Sequence, residues 1–263
     1  MIKQLSIPNI RLNQTNSFKG EAELHRGDIE TAGLVSEASK NLLDHPNRKF
    51  GINKSFARRI GKSLSKVAKD LIANYLPLVQ YKTELLANNK SKVFLEIGFG
   101  MGEHFIHQLS INKNDLFIGA EAYLNGVANV LNNVKNQDLS NFLIWPDDID
   151  LIISDLPDKS IDGIYILFPD PWHKTRHRKK RLFNKERYKK FVQKLKSGGF
   201  IAFASDIADY FEETKNLVSK DFTFINKDDI TPHENYVITK YHQKAITEGR
   251  VPQFFKCILD DHI

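Results

Sequence analysis

The sequence predicts an α/β fold: a mostly parallel, doubly wound sheet that ends in an antiparallel strand pair. Three observations carry this expectation. From residue 93 onward, short apolar runs alternate with helical patterns. The runs are almost continuously apolar, as strands covered on both faces are. After residue 220 the alternation stops, and two strand-like runs, "FTFIN" and "QFFKCIL", flank a long insert.

The elements follow in order. Strands are expected at 93–97 ("VFLEI"), 116–121 ("LFIGAE"), 142–145 ("FLIW"), 163–168 ("GIYILF") and 199–205 ("GFIAFAS"). Helical periodicity fills 102–111, 123–135, 148–154, 184–197 and 207–220. Upstream, residues 1–40 are polar and aperiodic and read as a flexible arm. Residues 41–92 read as a basic helical extension. Its helix carries Leu64, Val67, Leu71, Ile72 and Tyr75 on one face, and Pro77 closes it. Two roles stand for this extension, a docking helix with a basic outer face or a direct RNA contact. The main domain spans 93–263.

Composition narrows the classes. The 263 residues are 41% hydrophobic and 27% charged, ordinary for a globular protein. No apolar run reaches the length of a transmembrane helix. The start, "MIKQLSIPNIRLNQTNSF", has no apolar core of a secretory signal. The lone cysteine, Cys257, gives no internal disulfide and no cysteine-based zinc site. The expectation is a cytoplasmic protein without a metal or a membrane partner; monomer and homodimer both stand.

The net charge of +6 is unevenly spread. Between Lys174 and Lys190 there are ten Lys or Arg and one acid, a local charge of +9. A patch of this density points to a polyanion such as nucleic acid, against the alternative of a solvated face.

"EIGFGMG" follows the first strand and opens the first helix of the domain. Gly98, Gly100 and Gly102 allow a tight turn and close approach of a ligand to the backbone. Their G-x-G-x-G spacing differs from the G-x-G-x-x-G that cradles a diphosphate. Glu96 precedes the loop, an awkward charge beside a diphosphate but acceptable near a sulfonium or an amino group. Glu121 ends the second strand, where such folds place an acid on ribose hydroxyls. "WPDDID" ends the third strand, where Asp148, in preference to Asp147, is placed to meet an adenine amino group. Either aspartate also suits capping of the next helix. Together these residues favour a nucleoside cofactor without a diphosphate, S-adenosylmethionine over nicotinamide.

"FPDPW" follows the fourth strand, beside the glycine loop at the switch point of the sheet. Pro169 and Pro171 fix the backbone around Asp170 and aim its carboxylate, which suggests a catalytic turn.

With "EIGFGMG", "FPDPWHKTRHRKKRL", "SD" at 205–206 and "TKYHQKA" at 239–245, residues 45–260 resemble the bacterial tRNA (guanine-N7)-methyltransferase family. The resemblance implies a Rossmann-like class I methyltransferase that uses S-adenosylmethionine to methylate guanine 46 in the variable loop of tRNA. It implies cofactor contacts at Glu96, Glu121, Asp148 and Asp170, with Asp170 also catalytic. It places Lys174 and Asp206 on substrate positions and Thr175, Arg176, His177, Arg178, Lys179 and Lys180 on a tRNA-contacting segment. Thr239, Lys240 and Tyr241 match a final substrate motif that usually ends in glutamate; this chain has His242 there. Either His242 replaces that acid or a nearby acid such as Glu234 does. A methyltransferase acting on another RNA or a small molecule, and a non-catalytic RNA-binding protein on the same fold, are the alternatives. The small-molecule reading leaves the basic strip unexplained, and the non-catalytic reading leaves the glycine loop and its acids without a role.

Overall fold

The computed structural model describes residues 63–225 and 228–260. The 1–40 arm and most of the basic stretch before the first helix lie outside them. Seven strands form one sheet in the order β3-β2-β1-β4-β5-β7-β6. They are β1 (Val93–Ile97), β2 (Leu116–Ala120), β3 (Phe142–Trp145), β4 (Ile161–Leu167), β5 (Leu195–Ser205), β6 (Phe222–Phe224) and β7 (Gln253–Leu259). The first five run parallel, and β7 pairs antiparallel with both β5 and β6. The expected doubly wound sheet with an antiparallel edge pair is therefore present.

Alternation along each strand builds two cores. Leu95, Ile97, Ile118 and Ile164 face one side and pack with Tyr188 and Phe191 of α5 (Lys185–Lys194) and Tyr210, Phe211 and Val218 of α6 (Ala208–Val218). Phe117, Phe142 and Ile144 face the other side and meet Phe105 and Leu109 of α3 (Glu103–Ile111). There α4 (Leu124–Asn136) adds Val127, Val130, Leu131 and Val134, the i, i+3, i+4, i+7 stripe of a half-buried helix. Each fully buried side chain of this kind contributes roughly 1.5–3 kcal/mol.

The first helix departs from expectation. It runs as α1 (Lys66–Asp70), a π turn (Leu71–Tyr75) and α2 (Leu76–Val79). Pro77 does not close it. The π turn lets Leu76 N–H reach Leu71 O and restarts the helix, so Pro77 sits in a first turn where its missing donor costs nothing. Val67 points outward at 62% exposure, and Ala68 takes its place on the buried face. Beyond this helix Tyr81 N–H donates to Ile144 O at 2.8 Å, tying the segment to β3.

Other boundaries differ too. Residues 148–154 hold only a 3-10 turn (Ile149–Leu151), because Ile149, Leu151, Ile152 and Ile153 are all buried and leave no outward face for a longer helix. α5 stops at Lys194, and β5 begins at Leu195, opposite Ile161. The register then jumps to Gly163↔Phe200, a bulge around Gly198 at φ +70. β4 ends at Leu167, since Phe168 adopts φ +52.

Candidate active site

β1 lies between β2 and β4, so the sheet reverses its winding at the carboxyl ends of β1 and β4. The loop after β1 turns through Gly98, Gly100 and Gly102 at φ +75, +57 and +86, a conformation in which a side chain is strained. Glu121, just past β2, holds this loop: its Oε2 accepts Gly100 N–H at 2.7 Å and its Oε1 accepts Tyr123 N–H at 2.8 Å. Burial pushes the Glu121 carboxyl up to about 7. The backbone amides oppose the rise, and the charge of Asp170 adds to it. A carboxylate offers about four acceptor sites, and with the amides of Gly100, Tyr123 and Ala122 on it about one remains for a further donor. A Cβ built at Gly98 would meet nothing within 4 Å, so the loop borders open space. A nucleoside with vicinal hydroxyls and no diphosphate fits this combination.

Glu96 is buried in β1, and its Oε2 meets His104 Nδ1 at 2.8 Å. His104 Nε2 meets His233 Nε2 at 3.0 Å. Burial, with the charges of His104 and Lys256, lowers His233 to about 3, so its ring is neutral at physiological pH. Glu96 is thus engaged behind the loop. Asp148 caps the 3-10 turn through Oδ1 to Asp150 N–H at 3.0 Å, while Asp147 Oδ1 accepts Asp148 N–H at 2.8 Å. The capping role is therefore seen directly.

The turn after β4 is held from three sides. Phe168 and Trp172, at φ +52 and +45, bracket Pro169, Asp170 and Pro171 in left-handed conformations that cost about 1–3 kcal/mol each. Phe168 N–H donates to Ala204 O at 2.8 Å. Arg181, fully buried, donates from Nε to Pro171 O at 2.9 Å, pairs with Asp209 at 3.0 Å and Glu213 at 2.5 Å, and lies over the Tyr210 ring. The Asp170 side chain itself is exposed. An acid on a braced turn, open to solvent, is placed to meet an incoming group.

The basic segment is a 3-10 turn (Thr175–Lys180) preceded by Lys174. Lys174, Arg176, Arg178 and Lys179 are exposed. Arg178 pairs with Asp209, Lys180 lies 4.7 Å over the Trp172 ring, and His177 meets that ring edge-on. Partial burial and the nearby Lys180, Arg176 and Lys174 charges lower the His177 pKa. Two of the ten basics serve the fold: Arg181, as above, and Arg187, which forks onto Asp150. The exposed patch is smaller than the sequence count.

Of the remaining substrate candidates, Tyr241 reaches the loop. Thr239 caps α7 (Lys240–Thr247), accepting His242 N–H at 3.2 Å. The Tyr241 ring covers the loop, since a Cβ at Gly100 would come within 3.2 Å of it, and its pKa is raised by burial and by Glu121 and Asp170. Lys240 is exposed. His242 Nδ1 meets the Tyr236 hydroxyl at 2.9 Å, inside a ring cluster with Phe168 and Phe254. Burial lowers its pKa. Asp206, past β5, accepts Arg250 Nε at 2.5 Å.

Residues 90–254 match the family described as "Putative methyltransferase". A tRNA (guanine-N(7)-)-methyltransferase of Wolbachia pipientis is 38% identical, over 66% of this chain and 77% of its own length. One of Caulobacter vibrioides is 36% identical, over 76% and 93%. The chain belongs to the tRNA (guanine-N7)-methyltransferase family. A bifunctional methyltransferase of Rickettsia conorii is 49% identical over 99% of this chain but 51% of its own length. The chain thus spans about half the length of such bifunctional relatives of this family. Among solved structures, the 16S rRNA methyltransferase KamB superposes with a TM-score of 0.51 at 12% identity, over 67% of this chain and 92% of that one, which shows the fold.

Sequence reasoning missed several residues that shape this candidate site. His104 and His233 dock the insert against α3, helped by Gln108 Nε2 on Asn235 O at 2.9 Å. Gly126 admits the loop against α4, and Arg250 engages Asp206. None carried a local signal, because each acts through a partner distant in the chain. Among the described residues no helix is long and apolar enough to cross a membrane, and no cluster of His, Cys, Asp or Glu is placed to hold a metal.

Proposed function

We propose that this chain transfers a methyl group from S-adenosylmethionine to N7 of guanine 46 in the variable loop of tRNA. The convergence of Gly100, Glu121, Asp170 and Tyr241 around one rim, in a chain of this family, carries the reading. S-adenosylmethionine, when bound, supplies a methyl group made electrophilic by its sulfonium. Glu121 accepts from the ribose hydroxyls beside the Gly100, Tyr123 and Ala122 amides that hold it. Glu96 and Asp148 support that pocket, the first from behind the loop and the second from the turn after β3.

Guanine N7 carries a lone pair and no proton, so no general base is required. What the protein must supply is alignment of the nitrogen and relief of the positive charge that grows on the ring. Asp170 and Asp206 accept hydrogen bonds from guanine N1–H and the exocyclic amine, which adenine lacks in that pattern. Lys174, Arg176 and Lys179 neutralise nearby phosphates, with Thr175, His177, Arg178 and Lys180 completing the segment. Thr239, Lys240, Tyr241 and His242 close the substrate side. The setting is the cytoplasm, where tRNA is found.

One assay tests the whole reading. Bulk tRNA is incubated with tritium-methyl cofactor, then digested to nucleosides. Label in 7-methylguanosine is expected; label in another nucleoside, or none in RNA, overturns it.

A further inference from the structure

The Asp206 carboxylate is held by a neighbour whose other contacts lie on the substrate helix. Arg250 donates from Nε to Asp206 Oδ2 at 2.5 Å and pairs through Nη1 with Glu248, the residue that ends α7. Its backbone N–H donates to Ala245 O at 2.9 Å, which fixes Arg250 on α7 itself. One guanidinium therefore joins the end of β5 to the far end of the helix whose first turn carries Lys240, Tyr241 and His242. The Asp206 side chain is 16% exposed and that of Arg250 35%, so the pair sits on the rim rather than in the core.

We infer that Arg250 is a positioning residue for guanine recognition, setting the plane of the Asp206 carboxylate and the placement of α7 against it. The inference rests on the reading of Asp206 as a guanine contact. A carboxylate turns freely about its side-chain torsions unless something holds it, and the edge of guanine presents two donors in one plane. Arg250 Nε takes one of about four acceptor sites on Asp206 and leaves Oδ1 open. The same cation pairs with both Asp206 and Glu248, so it offsets two acids at once. Arg250 thus acts through geometry and through charge, and two substitutions separate these. Lysine keeps the charge but lacks the planar fork. Methionine removes both. Rim pairs contribute little to stability, so each variant is expected to fold.

The test is a double-mutant cycle on tRNA methylation at saturating cofactor, using Arg250→Met, Arg250→Lys, Asp206→Asn and the double variant Asp206→Asn/Arg250→Met. Arg250→Met is expected to lower kcat/KM for tRNA by about ten- to a hundredfold, the scale of misplacing a contact by roughly an ångström. Binding of S-adenosylhomocysteine, read by calorimetry, stays at the wild-type value. The double variant is no more than about threefold worse than Asp206→Asn alone, since coupled residues do not add. Arg250→Lys recovers KM but not kcat. Wild-type kinetics in Arg250→Met, full recovery by lysine, or a double variant that multiplies the two single losses would each overturn the inference. A wild-type protein that leaves tRNA unmethylated sinks the proposed function itself, a result distinct from additivity in an active enzyme.

Discussion

Gly100 N–H donates to Glu121 Oε2 over 2.7 Å, so the acid after β2 shapes the loop after β1 before any ligand arrives. Glu121 is thereby both a brace for the loop and a candidate ribose acceptor. Glu121→Ala is expected to weaken S-adenosylhomocysteine binding by roughly 1.5–3 kcal/mol, the range for hydrogen bonds to a charged group. Calorimetry on the folded variant reads this directly, and an unchanged affinity would remove Glu121 from the pocket.

The same residue sets a pH dependence. Burial raises its carboxyl to about 7 from an ordinary value of 4.5, so the free protein favours the protonated form in the intervening window. For stability, the Glu121 contribution is fully present below 4.5 and is lost as pH rises through 7. For binding the sign is opposite, because the ribose hydroxyls need an ionised acceptor. Cofactor affinity is expected to rise between pH 6 and 8 and then level off, while Glu121→Gln shows a flatter profile over the same range. A wild-type profile as flat as that of the glutamine variant would refute the assignment.

Asp170 is exposed on a turn braced by Arg181 and by two left-handed residues. Asp170→Asn keeps the shape and removes the charge. We expect kcat to fall by roughly 10²- to 10³-fold with both substrates saturating, the loss that follows removal of one preorganised electrostatic contact. Turnover above a third of wild type would make the turn structural and leave Asp206 as the leading acid.

Exposure sorts the basic strip. Arg176 and Lys179 face solvent, whereas Arg178 shares its charge with Asp209. Replacing Arg176 and Lys179 with Ala is expected to reduce the slope of log K for tRNA against log salt by about 1 to 2 units. Arg178→Ala alone is expected to change it less. Equal slopes in wild type and the double variant would mean a solvated face.

Much of this was legible in the chain. Strands buried on both faces leave continuous apolar runs, so "VFLEI" and "GIYILF" announced β1 and β4, and the glycine loop and Asp170 followed from their places at those strand ends. What stayed hidden is non-local. His104 and His233 are 129 positions apart, and Asp206 and Arg250 are 44 apart; no periodicity or spacing rule links either pair. Pro77 misled because a π turn can restart a helix where a proline would otherwise end it. Arg181 misled because composition counts a buried guanidinium and a solvated one alike.

Gly126 provides the sharpest test of the packing behind the loop. It lies in the first turn of α4, where alanine would favour the helix by about 1 kcal/mol. A Cβ there would sit 1.9 Å from Gly100 O and 2.9 Å from Gly100 C, both backbone atoms that no rotamer change can move aside. Relief requires the loop to shift away from α4, and the Gly100 amide would leave Glu121. Overpacking of this kind costs typically 1–3 kcal/mol, which outweighs the propensity gain. Gly126→Ala is therefore expected to lower Tm and to weaken S-adenosylhomocysteine binding by at least about tenfold, a loss larger than the stability change alone would produce. A variant with raised Tm and wild-type affinity would show that the loop has room to move and that the Gly100–Glu121 bond does not define the pocket.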